Sequence, residues 1–250
     1  MGKPNVLHVS ELCKTYKGNV EPAVDKLSFD VYQDEIFGLL GPNGAGKTTT
    51  ISMLTSLLKP DSGTINILGK DLLGHLDDIK QQIGVVSQDI ALYSKLTAHE
   101  NLYYYGSLYG IPKVKLNKHI DESLHRLGLY KHRNTTISKF SGGMQRRINL
   151  LAGVLHKPKL LFLDEPTVGV DVQTRNVIRE YLSELRNNGT AIVYSSHLME
   201  DIQILCNTVA IIDHGKLVTT GSPKDLIDNH NSCNSLEDVF LEITGRNLRD

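Results

Sequence analysis

The apolar run Ile36–Leu40 leads directly into Gly41-Pro42-Asn43-Gly44-Ala45-Gly46-Lys47-Thr48, which fits the spacing GxxxxGK followed by Ser or Thr. An apolar stripe at helical spacing, Ile51, Leu54 and Leu58, comes next. A glycine-rich turn between a buried strand and a helix constrains the fold strongly, because that arrangement cradles phosphate. Glycines let successive backbone N–H groups converge on phosphate oxygens, and the helix N-terminus adds a favourable dipole. Lys47 is placed to reach β and γ phosphates, Thr48 offers a hydroxyl to Mg²⁺, and Thr49 belongs to the same binding run. The alternative is an ordinary glycine-rich surface turn; a strand before it and a helix after it favour the nucleotide site.

The rest of the chain alternates short β-like runs with helical patterns, which predicts an α/β architecture with a largely parallel, buried central sheet. Strands are expected at Ile36–Leu40 and at residues 85–86, 160–163, 191–194 and 209–212. Their apolar runs are continuous, as in strands covered on both faces. Asp213-His214-Gly215 reads as a hairpin turn into a strand over 216–218. Between Gln88 and Pro158 the β signal fades. Thr97 with Glu100 forms a capping box, and Gly110 followed by Pro112 ends that helix. A helical subdomain over 89–157 is therefore expected, inserted in a core of 1–88 and 158–220. After Gly221 an Asn- and Ser-rich loop precedes a helix over 235–243 with Leu236, Val239, Phe240 and Ile243 on one face, making 221–250 a helical tail. The safer reading of that helix is that it folds onto its own domain.

Residues 160–163 are followed by Asp164 and Glu165. Strand alternation would aim the two carboxylates differently, Asp164 toward a metal and Glu165 toward the γ-phosphate and its attacking water. Two solvated carboxylates capping the next element are the alternative. The phosphate loop favours the catalytic pair.

Composition narrows the classes further. In a chain of 250 residues, 27 basic side chains balance 28 acidic ones, leaving no polyelectrolyte footprint of the kind nucleic-acid binding needs. Cys13, Cys206 and Cys233 are far apart without a CxxC pair, which suggests neither a disulfide framework nor a zinc site and fits a reducing compartment. The start, Met1 to Val6, shows no apolar signal core, and Val6 stands where a myristoylation signal needs Ser or Thr. The longest strongly apolar stretch, 148–155, is interrupted by Asn149 and falls short of the roughly 18 residues a membrane span requires.

Phe140-Ser141-Gly142-Gly143-Met144-Gln145-Arg146-Arg147 resembles the signature sequence of the ATP-binding proteins of ABC transporters. The resemblance runs through nearly the whole chain: Tyr16, the phosphate loop, Gln88, the signature, Asp164 and Glu165, Asp171, then His197. It implies a P-loop NTPase fold whose mainly parallel sheet is joined by an N-terminal antiparallel β portion. It also implies roles: Tyr16 stacking on adenine, Gln88 reaching Mg²⁺ and sensing the γ-phosphate, and His197 contacting that phosphate. Ser141, Gly142 and Gly143, opening a helix, would form a second anion site that grips the ATP of an opposite copy, with Asp171 passing between the two sites. A head-to-tail dimer with ATP as glue, a separate integral membrane permease, and a place on the cytoplasmic face of the membrane through that permease are further implications.

Phe140 for the usual Leu, Met144 for the usual Gln, and Val168 and Val170 around Gly169 depart from the commonest pattern. The Met variation is similar to the exporter subgroup with ABC-2 type membrane partners, which includes drug and antibiotic efflux. Tyr103-Tyr104-Tyr105, either helix packing or the lining of a partner groove, and the tail 236–241 point to the same subgroup. Importer subunits share the same catalytic residues. Soluble family ATPases acting on ribosomes or DNA usually fuse two cassettes or insert long coiled coils, and neither feature is present in this sequence.

Overall fold

A computed structural model describes residues 3–230 and 233–245. Met1 and Gly2, residues 231–232 of the Asn- and Ser-rich loop, and 246–250 of the expected tail lie outside the described residues. In chain order the elements are β1 (Asn5–Lys14), β2 (Val24–Tyr32), β3 (Ile36–Leu40), α1 (Lys47–Leu54), β4 (Ser62–Ile67), β5 (Lys70–Asp71), α2 (Leu76–Lys80), β6 (Ile83–Val86), α3 (Ala98–Leu108), α4 (Lys113–Arg126), α5 (Gly142–Val154), β7 (Leu160–Asp164), α6 (Val172–Asn187), β8 (Ala191–Ser196), α7 (Met199–Leu205), β9 (Thr208–Asp213), β10 (Lys216–Gly221), α8 (Pro223–Asp228) and α9 (Leu236–Thr244). They group into two compact units, one built from Met1–Ile79 with Ala191–Asp250 and the other from Lys80–Thr190.

In the first unit an antiparallel sheet of order β2-β1-β4-β5 supplies the N-terminal β portion. Beside it β3 pairs in parallel with both β8 and β9, and β10 runs antiparallel to β9. Every residue of β3 and β8 is buried, which explains their unbroken apolar runs. Phe29 of β2 stacks on Phe37 of β3, ring centroids 5.0 Å apart. β10 alternates exposed and half-buried residues. The turn that opens it places His214 at φ 47° and Gly215 at φ 75°, the two positive angles of a type I′ hairpin. α9, capped by Ser235, buries Leu236, Val239 and Phe240 against α7 and α8, with Ile243 half-buried.

In the second unit β6 and β7 pair in parallel. Val85 is 37% exposed, so β6 is not covered on both faces as its apolar run suggested. The helices supply most of the core: Leu102 of α3, Leu116, Ile120 and Leu124 of α4 at four-residue spacing, and Ile178 and Leu182 of α6. α3 carries the expected Thr97–Glu100 capping box, and Gly110 follows its end with φ 68°.

The expected helical stripe after the phosphate loop needs correction. α1 stops at Leu54, and two residues on, the backbone of Ser56 turns left-handed at φ 59°, leaving Leu58 beyond the helix. Among the described residues no helix is long and apolar enough to cross a membrane.

Candidate functional site

The first unit presents the phosphate loop between β3 and α1. Gly46 caps α1 with φ 102°, and a Cβ there would stand 2.4 Å from the Ala23 carbonyl oxygen, so no other residue fits. The cap contributes no side-chain hydrogen bond and the first turn contains no acidic residue, leaving the positive end of the helix dipole for an anion. The Lys47 ammonium, with the residue 5% exposed, donates to the carbonyls of Gly41 at 2.8 Å and Pro42 at 3.1 Å, which keeps it folded along the loop. Asn43, Gly44 and Thr48 are exposed, whereas Ala45 is buried. Gly215 braces the loop: its N–H donates to Ala45 at 3.0 Å and its carbonyl accepts from Asp25 at 2.9 Å. That support went unseen in the sequence because it joins residues 170 apart.

Tyr16 follows β1 rather than lying in it, and 43% of its surface is exposed. Its hydroxyl lies 3.1 Å from Thr49 Oγ1, bringing the ring beside the first turn of α1. His197 is half-buried and follows β8 directly. Its turn is shaped by Ser196, whose Oγ accepts from the Leu198 N–H at 2.9 Å. Tyr194 and Asp201, both fully buried, bracket the same turn through a 3.0 Å bond from the Tyr194 hydroxyl to Asp201 Oδ2.

In the second unit all of β7 is buried and leads to Asp164 and Glu165, each 4% exposed. Placing two carboxylates so far out of water is costly unless they are held by partners. The expectation that strand alternation separates their directions is corrected: β7 ends at Asp164, and Glu165 adopts φ 49°. A left-handed non-glycine residue costs about 1 kcal/mol, and such strain gathers where a side chain must be aimed.

Gln88 is exposed in the bend after β6, where its carbonyl accepts from Arg146 Nη1 at 2.5 Å. Ser141 caps α5, its Oγ accepting from the Met144 N–H at 3.3 Å, so the signature residues do open a helix. Gly142 has open space beside it, whereas a Cβ on Gly143 would lie 2.7 Å from Thr174 Oγ1. Thr174 is held by Asp171, the cap of α6: its N–H reaches Oδ1 at 2.8 Å and its hydroxyl Oδ2 at 3.1 Å. The bond from the Thr174 backbone pulls the Asp171 pKa below the usual carboxylate value. The unit thus brings the start of the signature helix and the Asp171 turn into contact. The tyrosine cluster has two uses: the Tyr105 hydroxyl donates to the Ala91 carbonyl, while Tyr103 and Tyr104 line a hollow of about 440 Å³ with His99 and Lys113.

Tyr16, residues 41–49 and His197 therefore belong to the first unit, and Gln88, Ser141, Gly142, Gly143, Asp164, Glu165 and Asp171 to the second. Among the described residues no cluster of three His, Cys, Asp or Glu side chains is arranged to hold a metal. The donors expected for Mg²⁺ are of another kind, the Thr48 hydroxyl, the Gln88 amide oxygen and the Asp164 carboxylate. These are hard oxygens suited to that ion, and Thr48 and Gln88 are open to solvent.

Comparison with known proteins gives a family match, described as ABC transporter, over residues 24–168. The linearmycin resistance ATP-binding protein LnrL of Bacillus subtilis is 47% identical over 222 residues, covering 88% of this chain and 70% of that protein. The doxorubicin resistance ATP-binding protein DrrA of Mycobacterium tuberculosis is 34% identical over 242 residues, 97% of this chain and 71% of that protein. A solved structure described as the ATP binding subunit of an ABC transporter superposes with a TM-score of 0.86 at 26% identity, covering 96% of this chain and 99% of its own.

Proposed function

We propose an export role for this chain, which belongs to the ABC transporter family as an ATP-binding, ATP-hydrolysing subunit. The observation that carries export is the 47% identity to a protein named for resistance to linearmycin, with a protein named for doxorubicin resistance matching over 97% of the chain. The substrate class we assign is an amphipathic drug, antibiotic or lipid-like molecule, and the membrane partner is a permease of the ABC-2 type. Subunits of this family pair with permeases and dimerise. The partner surface assigned here includes the hollow lined by Tyr103 and Tyr104, next to the exposed Leu108 and Val114. The chain would work at the cytoplasmic face of the membrane.

In the proposed reaction, water attacks the γ-phosphorus of ATP and the bond to the bridging oxygen of ADP breaks, releasing phosphate. Lys47 and backbone N–H groups of the phosphate loop from Asn43 onward hold the β and γ phosphates, and Tyr16 stacks on adenine. Thr48, Gln88 and Asp164 would hold Mg²⁺, which neutralises charge on the phosphate oxygens when bound. Glu165 orients the attacking water and accepts its proton, and His197 steadies the γ-phosphate. A second copy would contribute Ser141, Gly142 and Gly143 to the same nucleotide, with Asp171 at the junction, so that hydrolysis releases the pair and resets the permease.

The test is drug susceptibility of cells that lack the chain and are complemented with either wild type or Glu165→Gln. Loss of resistance with both the deletion and Glu165→Gln supports export. Unchanged resistance across a panel of amphipathic antibiotics, together with loss of uptake of a nutrient, would replace export with import.

A further inference from the structure

We infer that Arg146 and Asn149 clamp the Gln88 loop to the signature helix, so that the two motifs of one chain respond to nucleotide as a single piece. The inference rests on the ATPase reading, in which Gln88 meets the chain's own nucleotide and Ser141 meets that of the other copy. Three residues apart on α5, the two side chains share a helix face. Both are buried, Arg146 at 9% exposed and Asn149 at 6%. Arg146 donates Nη1 to the Gln88 carbonyl at 2.5 Å and Nη2 to the Val168 carbonyl at 3.5 Å. Asn149 takes the other side of the loop, accepting from the Ala91 N–H at 3.3 Å and donating to the Ser87 carbonyl at 3.4 Å.

A buried guanidinium cannot shed its charge and must spend its N–H groups on acceptors. Here the acceptors are backbone carbonyls of two motif loops, that of Gln88 and that leading to Asp171. Ser87 to Ala91 is thus pinned through its backbone from both ends, while the Gln88 side chain stays exposed. A pull on that side chain moves the loop, and the loop cannot move without α5. Since Ser141 caps α5 and Gly143 abuts Thr174, the displacement reaches the surface offered to the second nucleotide. Arg146 and Asn149 are positioning residues, with no contact to nucleotide required of them.

Hydrogen exchange on the full chain, kept dilute enough to be monomeric, separates this role from simple stabilisation. In wild type, Mg²⁺ with ATP should slow exchange both at residues 87–91 and at 141–146, although only the chain's own site is filled. In Arg146→Lys and Asn149→Leu the first segment should still respond and the second should not, while kcat, measured separately at concentrations where the chain pairs, falls about tenfold with KM for ATP changed less than about twofold. A signature segment that still responds in the variants, or an unchanged kcat in variants that merely melt earlier, overturns the clamp. Should Arg146→Lys fail to fold, Asn149→Leu decides the matter. A wild-type chain that neither binds nor hydrolyses ATP would instead defeat the ATPase reading itself.

Discussion

Glu165 stands almost wholly out of water in a left-handed backbone conformation, one residue past the end of a fully buried strand. If it positions the attacking water, Glu165→Gln should keep the shape and lose the base. We predict a kcat about a hundred- to ten-thousand-fold lower with little change in ATP affinity, checked by steady-state hydrolysis and by nucleotide titration. Gly46→Ala acts earlier in the sequence of events. Its methyl would collide with the Ala23 carbonyl at 2.4 Å and its φ of 102° would be strained, so ATP binding itself should be lost in calorimetry while the rest of the chain stays folded. The phosphate loop was legible in the sequence because its spacing is covalent and its glycines are required locally. The backbone at Glu165 was misread by extending the strand pleat one residue too far. Pro166, which has no N–H to continue a ladder, was the available signal.

Among the elements, α9 makes the clearest stability prediction. Leu236, Val239 and Phe240 recur at helical spacing and all are buried against α7 and α8, so the periodicity was sufficient to find both the helix and its inner face. Phe240→Ala should destabilise the first unit by about 3 to 5 kcal/mol, read from denaturant unfolding. α1 shows where periodicity fails: the left-handed turn at Ser56 takes Leu58 off the helix, and a stripe of Leu and Ile residues does not register it. A pH effect belongs to the second unit, at the ends of α3 and α5 and within α4. His156, stacked on Tyr109 with centroids 3.6 Å apart, has its pKa lowered by burial, and His119 is lowered by burial and by Lys157. Both therefore favour the neutral form when folded. Their contribution to stability is complete above the unfolded histidine value of about 6.5 and declines as pH falls below it, until the folded pKa is reached. His156→Phe, which keeps a ring against Tyr109, should flatten the loss of stability between pH 7 and pH 5 in denaturant titrations. An equal slope in both proteins would contradict that assignment.

At the scale of the whole molecule, the motifs divide between two units: the second is one continuous stretch, Lys80–Thr190, and the chain returns to the first after it. The α/β class and a largely parallel sheet followed from continuous apolar runs, because strands buried on both faces leave no alternation; that β3 pairs with β8 and β9 came from the structure alone. The bracing of the phosphate loop by Gly215 and the tie between the Arg146 guanidinium and Gln88 did not follow, since each joins segments far apart in sequence and ends on a backbone carbonyl, which every residue carries. Exposed surface is likewise silent about its occupant, which is why the membrane partner rests on likeness to relatives.

The most direct measurement is an affinity purification of the Glu165→Gln chain from detergent-solubilised membranes with ATP and Mg²⁺ present, followed by mass spectrometry. A subunit that powers an exporter should bring down a multi-span permease in stoichiometric amount, retained with ATP and lost with Lys47→Ala. Recovery of ribosomes or nucleic-acid factors, with no membrane protein, would contradict the assignment.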